Sequence, residues 1–143
     1  MMLYFLSLLQ CLGNMNGNVY GISNPNIDTI SLISPTTADN RIKQITENSS
    51  GFIYYVNLRG VTGSSNLDMN EIEKNISKIR QYTQIPTLAG FGIKTPSDAK
   101  ILAKCADGVI VGSSIVEMID AAKETKDFSK IEEYLKDLHR AIN

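Results

Sequence analysis

The stretches that decide the fold of this chain are Pro86-Thr-Leu-Ala-Gly-Phe-Gly-Ile93 and Asp107-Gly-Val-Ile-Val-Gly-Ser-Ser-Ile-Val116. Each is a short apolar run of β-forming residues that ends in glycine and is followed by the start of a helical pattern. Glycine lets a ligand approach the backbone without meeting a Cβ atom, and the first amides of a helix are free donors with a partial positive charge. Two such turns on consecutive strands are typical of a phosphate-binding site.

The same order of strand, turn and helix occurs twice before these stretches. Ile27–Ser34 is β-branched and apolar, a Pro-Thr-Thr break follows it, and Ala38–Glu47 has helical character. The next predicted strand is Phe52–Val56, which leads through a long loop to a helix from about Asn70 to Tyr82 with an apolar stripe. These segments predict two further β/α units.

The helix starts and ends are clearest in the last third of the chain. Thr95 is a good N-cap residue, Pro96 suits the first helical position, and Asp98 stands three residues after the cap. A further helix is predicted directly after Gly112. A last one, over about Ser129–Ile142, carries its apolar residues on one stripe.

Four β/α units predict a parallel sheet with helices outside it, because parallel neighbours need a crossover connection. Two architectures fit this pattern, an open doubly wound sheet and part of a (β/α)8 barrel. The Gly-x-Gly-x-x-Gly fingerprint of the first is missing after the first strand, whereas TIM barrels bind phosphate on the loops after strands seven and eight. The predicted fold class is therefore α/β, with parallel β/α units that form the C-terminal half of a TIM (β/α)8 barrel. A whole barrel takes about 250 residues, and this chain has 143.

The beginning of the chain differs from the rest. Met1–Leu12 is almost wholly apolar, lacks the positive region of a signal peptide and is too short to span a bilayer, so we expect a helix or strand that packs on something. Gly13–Asn26 is rich in Gly and Asn and predicts a loop. The expected organisation is an irregular, apolar and Gly/Asn-rich segment over residues 1–26 and a half barrel with phosphate-binding loops over residues 27–143.

Composition and charge exclude several classes of function. The chain is 43% hydrophobic and 20% charged, which is enough for one packed domain. Its net charge is −1 and it has no basic stripe, which excludes nucleic acid and acidic membrane surfaces as expected partners. Cys11 and Cys105 stand far apart with no Cys or His at metal-ligand spacing. We expect free thiols, no metal site and a cytoplasmic protein.

Several of these residues together resemble the tryptophan synthase alpha subunit family. The resemblance is carried by the two glycine stretches, by Gly51–Gly63 with its Gly-Val-Thr-Gly loop after a Tyr-containing strand, and by Leu32–Thr37. It covers about residues 27–142 and matches strands five to eight of that family's barrel. The family is a lyase of tryptophan biosynthesis that cleaves indole-3-glycerol phosphate to indole and glyceraldehyde 3-phosphate. It passes the indole to a β subunit, so the resemblance implies no cofactor in this chain and a partner that carries pyridoxal phosphate.

The resemblance also implies which residues bind the substrate phosphate. In the family's pattern, Phe91 and Gly92 of the first glycine turn and Gly112 and Ser113 of the second surround this group. Gly63 would close the site from the loop after strand six.

Two more residues are implied in the rest of the substrate pocket. Tyr54 would line the pocket beside the indole and glycerol groups, and Thr62 would lie in the mobile loop that shuts over the substrate. Tyr54 and Tyr55 are neighbours in a predicted strand, so one must point into the barrel and the other toward the helices.

No catalytic residue is predicted in this chain. The family's two catalytic carboxylates lie on and after its second strand, in the part of the barrel that has no counterpart here. The acidic residues that we considered as replacements fall at helix starts or on outer helical faces, where carboxylates complement the helix dipole. They are Asp68, Glu71, Asp98 and Glu117.

Two alternative functions stay open at this stage. One is another phosphate-binding barrel enzyme, such as an indole-glycerol-phosphate synthase, although the Gly-Val-Thr-Gly loop argues against it. The other is a non-catalytic module that binds a phosphorylated ligand or the β subunit. A half barrel leaves unpaired strand edges and an apolar inner face, so we also expect self-association or poor solubility.

Overall fold

A five-stranded parallel sheet forms the centre of the computed structural model, which describes residues 2–4, 28, 30–56 and 68–143. The strands are β1 (Met2–Tyr4), β2 (Ser31–Ile33), β3 (Ile53–Tyr55), β4 (Thr87–Ala89) and β5 (Gly108–Ile110). The helices are α1 (Asp39–Glu47), α2 (Met69–Arg80), α3 (Pro96–Leu102), α4 (Ser113–Ala122) and α5 (Ser129–Ile142). Among these helices, none is both long enough and apolar enough to cross a lipid bilayer.

The strand order is β1-β5-β4-β3-β2, and each neighbouring pair is parallel. β2 to β5 lie side by side in chain order with a helix between successive strands, which confirms the four predicted β/α units. The fifth strand, β1, was not among those units. It comes from the segment expected to be irregular and lies beside β5, with Met2 opposite Gly108. Among the described strands, β1 and β2 are therefore the edges of the sheet, and β5 is an inner strand.

The two faces of the sheet bury different clusters of apolar side chains. The larger cluster lies between the sheet and the helices and includes Ile33, Ile53, Tyr55, Ala89, Val109, Ile72, Ile76, Leu102, Ile115 and Leu138. The smaller cluster consists of Phe52, Leu88 and Ile110, with Ile30 and Tyr54 packed against it. Tyr54 and Tyr55 thus belong to opposite faces, which confirms the alternation predicted for this strand.

The outer strand β2 exposes an apolar side chain. Leu32 lies opposite Tyr54 in the parallel register, and 58% of its surface is exposed. By contrast, Leu88, which pairs with Tyr54 on the other side, is buried. On this face of the sheet, the apolar side chain of β4 is therefore buried and that of β2 is exposed to solvent.

The first turn of α3 is stabilised by the residues predicted from the sequence. Thr95 Oγ1 accepts a hydrogen bond from Asp98 N at 3.2 Å, and Asp98 Oδ2 accepts from Thr95 N at 2.8 Å and from Lys94 N at 3.1 Å. This reciprocal arrangement is a capping box. Although partial burial of the carboxyl group favours its protonated form, the hydrogen bonds from Thr95 and Lys94 outweigh that effect and lower the pKa of Asp98.

The lowered pKa of Asp98 makes the capping box sensitive to acid. A carboxylate whose pKa is lower in the folded chain stabilises it above the unfolded value of about 3.9, and this stabilisation is lost as the pH falls through the folded pKa. Asp98→Asn is expected to lower the free energy of unfolding at pH 7 by about 0.5–1 kcal/mol, since the group is largely solvent-screened. Urea titrations at pH 7 and below pH 4 measure this, and a gap between the two proteins that widens in acid would contradict it.

One buried hydroxyl in the sheet has no partner. Thr87 is fully buried in β4, and within the described residues its Oγ1 atom makes no hydrogen bond. Its backbone N–H is paired, since it donates to Asp107 Oδ2 at 2.8 Å. Burial of an unpaired hydroxyl costs free energy that an apolar group of the same shape does not.

Thr87→Val is therefore expected to raise the free energy of unfolding, by about 1 kcal/mol. A matched control is Thr46→Val, because Thr46 is also buried but its Oγ1 donates to Lys43 O at 2.9 Å. The control is expected to lower the free energy of unfolding. Urea titrations of the two variants measure these changes in the free energy of unfolding. A loss of stability in Thr87→Val would contradict the prediction.

Candidate phosphate-binding site

The two glycine turns lie at the carboxyl ends of neighbouring strands. β4 and β5 pair in parallel, with Leu88 opposite Gly108 and Ala89 opposite Val109, so the turns that follow them start at the same edge of the sheet. Gly92 has a φ of +58°, a left-handed conformation that side chains with a Cβ atom rarely adopt. Gly90 is enclosed, and a Cβ atom built on it would lie 2.8 Å from Ile110 Cβ.

The second turn leads directly into α4, whose first turn has no side-chain cap. Gly112 is the N-cap residue and Ser113 the first helical residue, and no side chain caps this end. Both residues are exposed, and a Cβ atom on Gly112 would meet nothing within 4 Å. An uncapped helix start has free N–H groups and a partial positive charge, which together favour an anion.

A side chain joins the two turns. Ser114 Oγ, in the first turn of α4, donates a hydrogen bond to Ile93 O at 2.8 Å. The start of α4 is thereby held against the loop that contains Gly92. Ser114 was not among the predicted site residues, because a serine at the second position of a helix gives no indication of a partner 21 residues away.

Tyr54 contacts the first turn from β3. Its hydroxyl donates to Gly90 O at 3.3 Å, a long hydrogen bond, and the hydroxyl oxygen would lie 2.8 Å from a Cβ atom on Gly90. Burial raises the pKa of Tyr54, so the hydroxyl keeps its proton at neutral pH and acts as a donor. Tyr54 therefore lies beside the glycine turn.

Phe91 contributes to this region through its backbone. Its side chain is 8% exposed, and its ring meets that of Tyr55 edge to face, with the ring centres 6.4 Å apart. A ligand at the turn would therefore meet the Phe91 peptide rather than the ring. Thr62 and Gly63, the other two implied substrate-binding residues, lie outside the described residues.

The acidic residues considered as replacement catalysts are placed as predicted for structural roles. Asp68 caps α2 by accepting from Asn70 N at 3.0 Å and from Glu71 N at 3.2 Å, and Asp98 belongs to the capping box of α3. Glu117 is exposed on α4. Within residues 30–56 and 68–143 no three His, Cys, Asp or Glu side chains converge as a metal site requires. Asp68 and Asp98 therefore serve as helix caps.

A depression of about 320 Å³ lies elsewhere, on the surface of α5 between Glu132, Leu135, Lys136, His139 and Arg140. All its lining residues come from one helix. Two of its charged side chains are already paired there, since Lys136 Nζ and Glu132 Oε1 lie 2.6 Å apart. The glycine turns, which bring exposed residues of two segments to one edge of the sheet, are the better candidate.

Comparison with known proteins gives a consistent result. A family model described as tryptophan synthase alpha chain matches residues 16–143. The chain is 40% identical to the tryptophan synthase alpha chain of Thiobacillus denitrificans over 117 residues and 42% identical to that of Nitrosomonas europaea over 118 residues. In both cases the match covers 82% of this chain and 43% of the relative. The chain therefore spans less than half the length of these curated relatives.

A solved structure agrees with the sequence relatives. Tryptophan synthase subunit alpha from Legionella pneumophila matches with a TM-score of 0.68 and 33% identity, over 81% of this chain and 42% of that one. These structural neighbours are TIM barrels, which confirms the predicted fold class. The family resemblance first drawn from the glycine stretches is also confirmed: the chain belongs to the tryptophan synthase alpha chain family, whose members are lyases of tryptophan biosynthesis.

Proposed function

We propose that this chain holds the phosphate group of indole-3-glycerol phosphate for cleavage to indole and glyceraldehyde 3-phosphate. The single observation that carries the proposal is the joining of two glycine turns by Ser114 and Ile93 beside the uncapped start of α4. Membership of the tryptophan synthase alpha chain family supports the choice of substrate.

The implied residues that the structure describes each have a part that their position supports. Gly92 and Gly112 leave room for a phosphate oxygen beside the backbone, and the Ser113 amide offers a donor at the helix start. Phe91 offers only its peptide group. Tyr54 lies next to Gly90 and is proposed to border the indole and glycerol part of the substrate, while Thr62 and Gly63 keep their implied roles in closing the site.

The carbon–carbon cleavage itself needs groups beyond these. Retro-aldol cleavage requires one group to protonate the indole ring carbon and another to manage the ring N–H and the glycerol hydroxyl. Asp68 and Asp98 are engaged in helix capping, so we assign neither to proton transfer. We propose that the catalytic carboxylates belong to a part of the barrel that this chain does not contain.

The test is indole formation from indole-3-glycerol phosphate. The purified chain is assayed alone and together with a separately expressed piece of the Thiobacillus denitrificans alpha chain, namely the portion that this chain does not match. We expect turnover only in the mixture. Turnover by the chain alone would overturn the assignment of the carboxylates, and silence in both would favour the non-catalytic module that binds a phosphorylated ligand.

Phosphate binding can be tested independently of turnover. Amide resonances of Gly92, Gly112 and Ser113 in the 15N-labelled chain are followed during titration with inorganic phosphate, and we expect them to shift together. Ser113→Asp is expected to abolish the shifts, because its carboxylate would repel the anion. Ser129→Asp is the matched control, since Ser129 is the exposed first residue of α5 and lies outside the proposed site.

The proposed partners follow from the family. We propose that the assembled enzyme docks on a tryptophan synthase β subunit in the cytoplasm and that pyridoxal phosphate belongs to that subunit, with no cofactor in this chain. Stimulation of the β reaction by the chain, measured with and without the complementing piece, tests this association.

We also propose that the chain self-associates through the open side of β2. Leu32 exposes 58% of its surface there, and an unpaired strand edge favours pairing with another chain. Two copies cannot close into an eight-stranded barrel while β1 flanks β5, so we expect a dimer through β2 edges. Leu32→Lys is expected to shift light scattering toward the monomer, and a monodisperse monomer in the unmodified chain would contradict the proposal.

A further inference from the structure

Two hydroxyl groups from the last two helices reach consecutive carbonyl groups after the first glycine turn. Ser114 Oγ of α4 donates to Ile93 O at 2.8 Å, and Tyr134 OH of α5 donates to Lys94 O at 3.1 Å. Burial raises the pKa of Tyr134, the Asp98 charge adds to this rise, and a hydrogen bond with Ser114 opposes it. Tyr134 therefore remains a protonated donor, and these side chains form one network.

The opposite sides of the same peptide groups are also held. Lys94 N and Thr95 N both donate to Asp98 Oδ2, at 3.1 Å and 2.8 Å. The peptide group between Ile93 and Lys94 and the next one are thus hydrogen-bonded at both the carbonyl and the amide. Because a peptide group is planar, bonds at both ends fix its orientation. The segment directly after Gly92 is therefore the rigid end of the turn.

The orientation of this rigid segment determines which backbone groups face an anion at the turn. A carbonyl oxygen that turned toward a phosphate would repel it, whereas Ile93 O and Lys94 O point at the hydroxyls of α4 and α5. Ser114 also lies in the first turn of α4, which no side chain caps. One residue thus binds the two turns together and contributes to the helix start that faces the ligand. Donors held in place before binding cost no ordering when the anion arrives.

We propose that Ser114 and Tyr134 are positioning residues of the phosphate site, which hold the Gly90–Ile93 turn and the start of α4 in their anion-binding arrangement. The proposal rests on the proposed function of these turns. Neither side chain is required to touch the phosphate. They act by holding the backbone amides around the phosphate in place before it binds.

The test is the affinity of the full chain for inorganic phosphate, read from the amide shifts of Gly92 and Gly112. Ser114→Ala and Tyr134→Phe are each expected to weaken binding by about five- to tenfold, the effect of one hydrogen bond. Ser114→Thr keeps a hydroxyl and should restore most of the affinity. Tyr82→Phe is the control for Tyr134→Phe, because Tyr82 is exposed just after α2.

Further measurements distinguish loss of the positioning effect from loss of folding and from failure of the phosphate proposal. Because both residues act on one segment, the double variant is expected to lose little more affinity than either single variant. Urea unfolding of each variant separates lost affinity from lost folding. No shift with phosphate in the unmodified chain would overturn the phosphate proposal itself. Normal shifts with unchanged affinity in Ser114→Ala and Tyr134→Phe would overturn only the positioning roles.

Discussion

Gly90→Ala is expected to lower the free energy of unfolding by about 3 kcal/mol, the upper end of the range for overpacking a tight core. The new Cβ atom would lie 2.8 Å from Ile110 Cβ, 2.8 Å from the Tyr54 hydroxyl and 2.9 Å from Ile110 O. The hydroxyl can move, but the carbonyl is part of β5 and its neighbour is a branched side chain. The strand or the turn must therefore shift, and the bond from Tyr54 to Gly90 O is lost with it.

The matched control is Gly112→Ala in the second turn. Gly112 has an ordinary negative φ of −120°, and its added Cβ atom would meet nothing within 4 Å. We expect almost no change in the free energy of unfolding but weaker phosphate binding, because the methyl group would stand where the ligand approaches. Urea titration and phosphate titration of both variants separate the two effects. Equal stability losses in both variants would contradict this account of the turns.

Tyr55→Ala is expected to lower the free energy of unfolding by about 3–5 kcal/mol, as for other large aromatic residues truncated in a core. Tyr55 is fully buried, its ring packs on Phe91, and its hydroxyl accepts a hydrogen bond from Asn75 Nδ2 at 3.1 Å. Domains of this size are stable by about 5–15 kcal/mol, so this loss is a large fraction of the total and we expect a clearly lower midpoint of thermal unfolding.

Tyr55→Phe isolates the hydroxyl from the ring. It keeps the contact with Phe91 and removes the hydroxyl that accepts the hydrogen bond from Asn75, so we expect a loss of about 1 kcal/mol. Thermal unfolding followed by circular dichroism measures both variants. Comparable losses in Tyr55→Ala and Tyr55→Phe would mean that hydrogen bonding, rather than packing between β3 and the glycine turn, is the main contribution of this residue.

Most of the fold was predictable because helix caps and apolar spacing depend on residues that are close in the sequence. The capping box of Thr95 and Asp98 depends on four consecutive residues, and the apolar stripe of α5 depends on helical spacing alone. Ser129–Ile142 was therefore predicted with the bounds that the structure has. β1 could be predicted only as an apolar segment that packs on something, since its partner strand lies at the other end of the chain.

The candidate site was predictable where parallel-sheet geometry brings residues together. Gly92 and Gly112 follow adjacent strands, so their proximity follows from the order of the β/α units. Ser114 and Tyr134 were not predicted, because their partners lie 21 and 40 residues away and such contacts depend on how two helices pack on a loop. In the sequence, Tyr134 is simply one member of the apolar stripe of α5.

The pairing of β1 with β5 has a consequence for the order in which the chain folds. Met2 and Gly108 are more than one hundred positions apart, and closing so long a loop costs entropy before any pairing energy is returned. The β/α units, whose contacts are closer in sequence, can form without it. A strand of three residues adds few hydrogen bonds, so β1 is expected to join last during refolding and to open first during local unfolding.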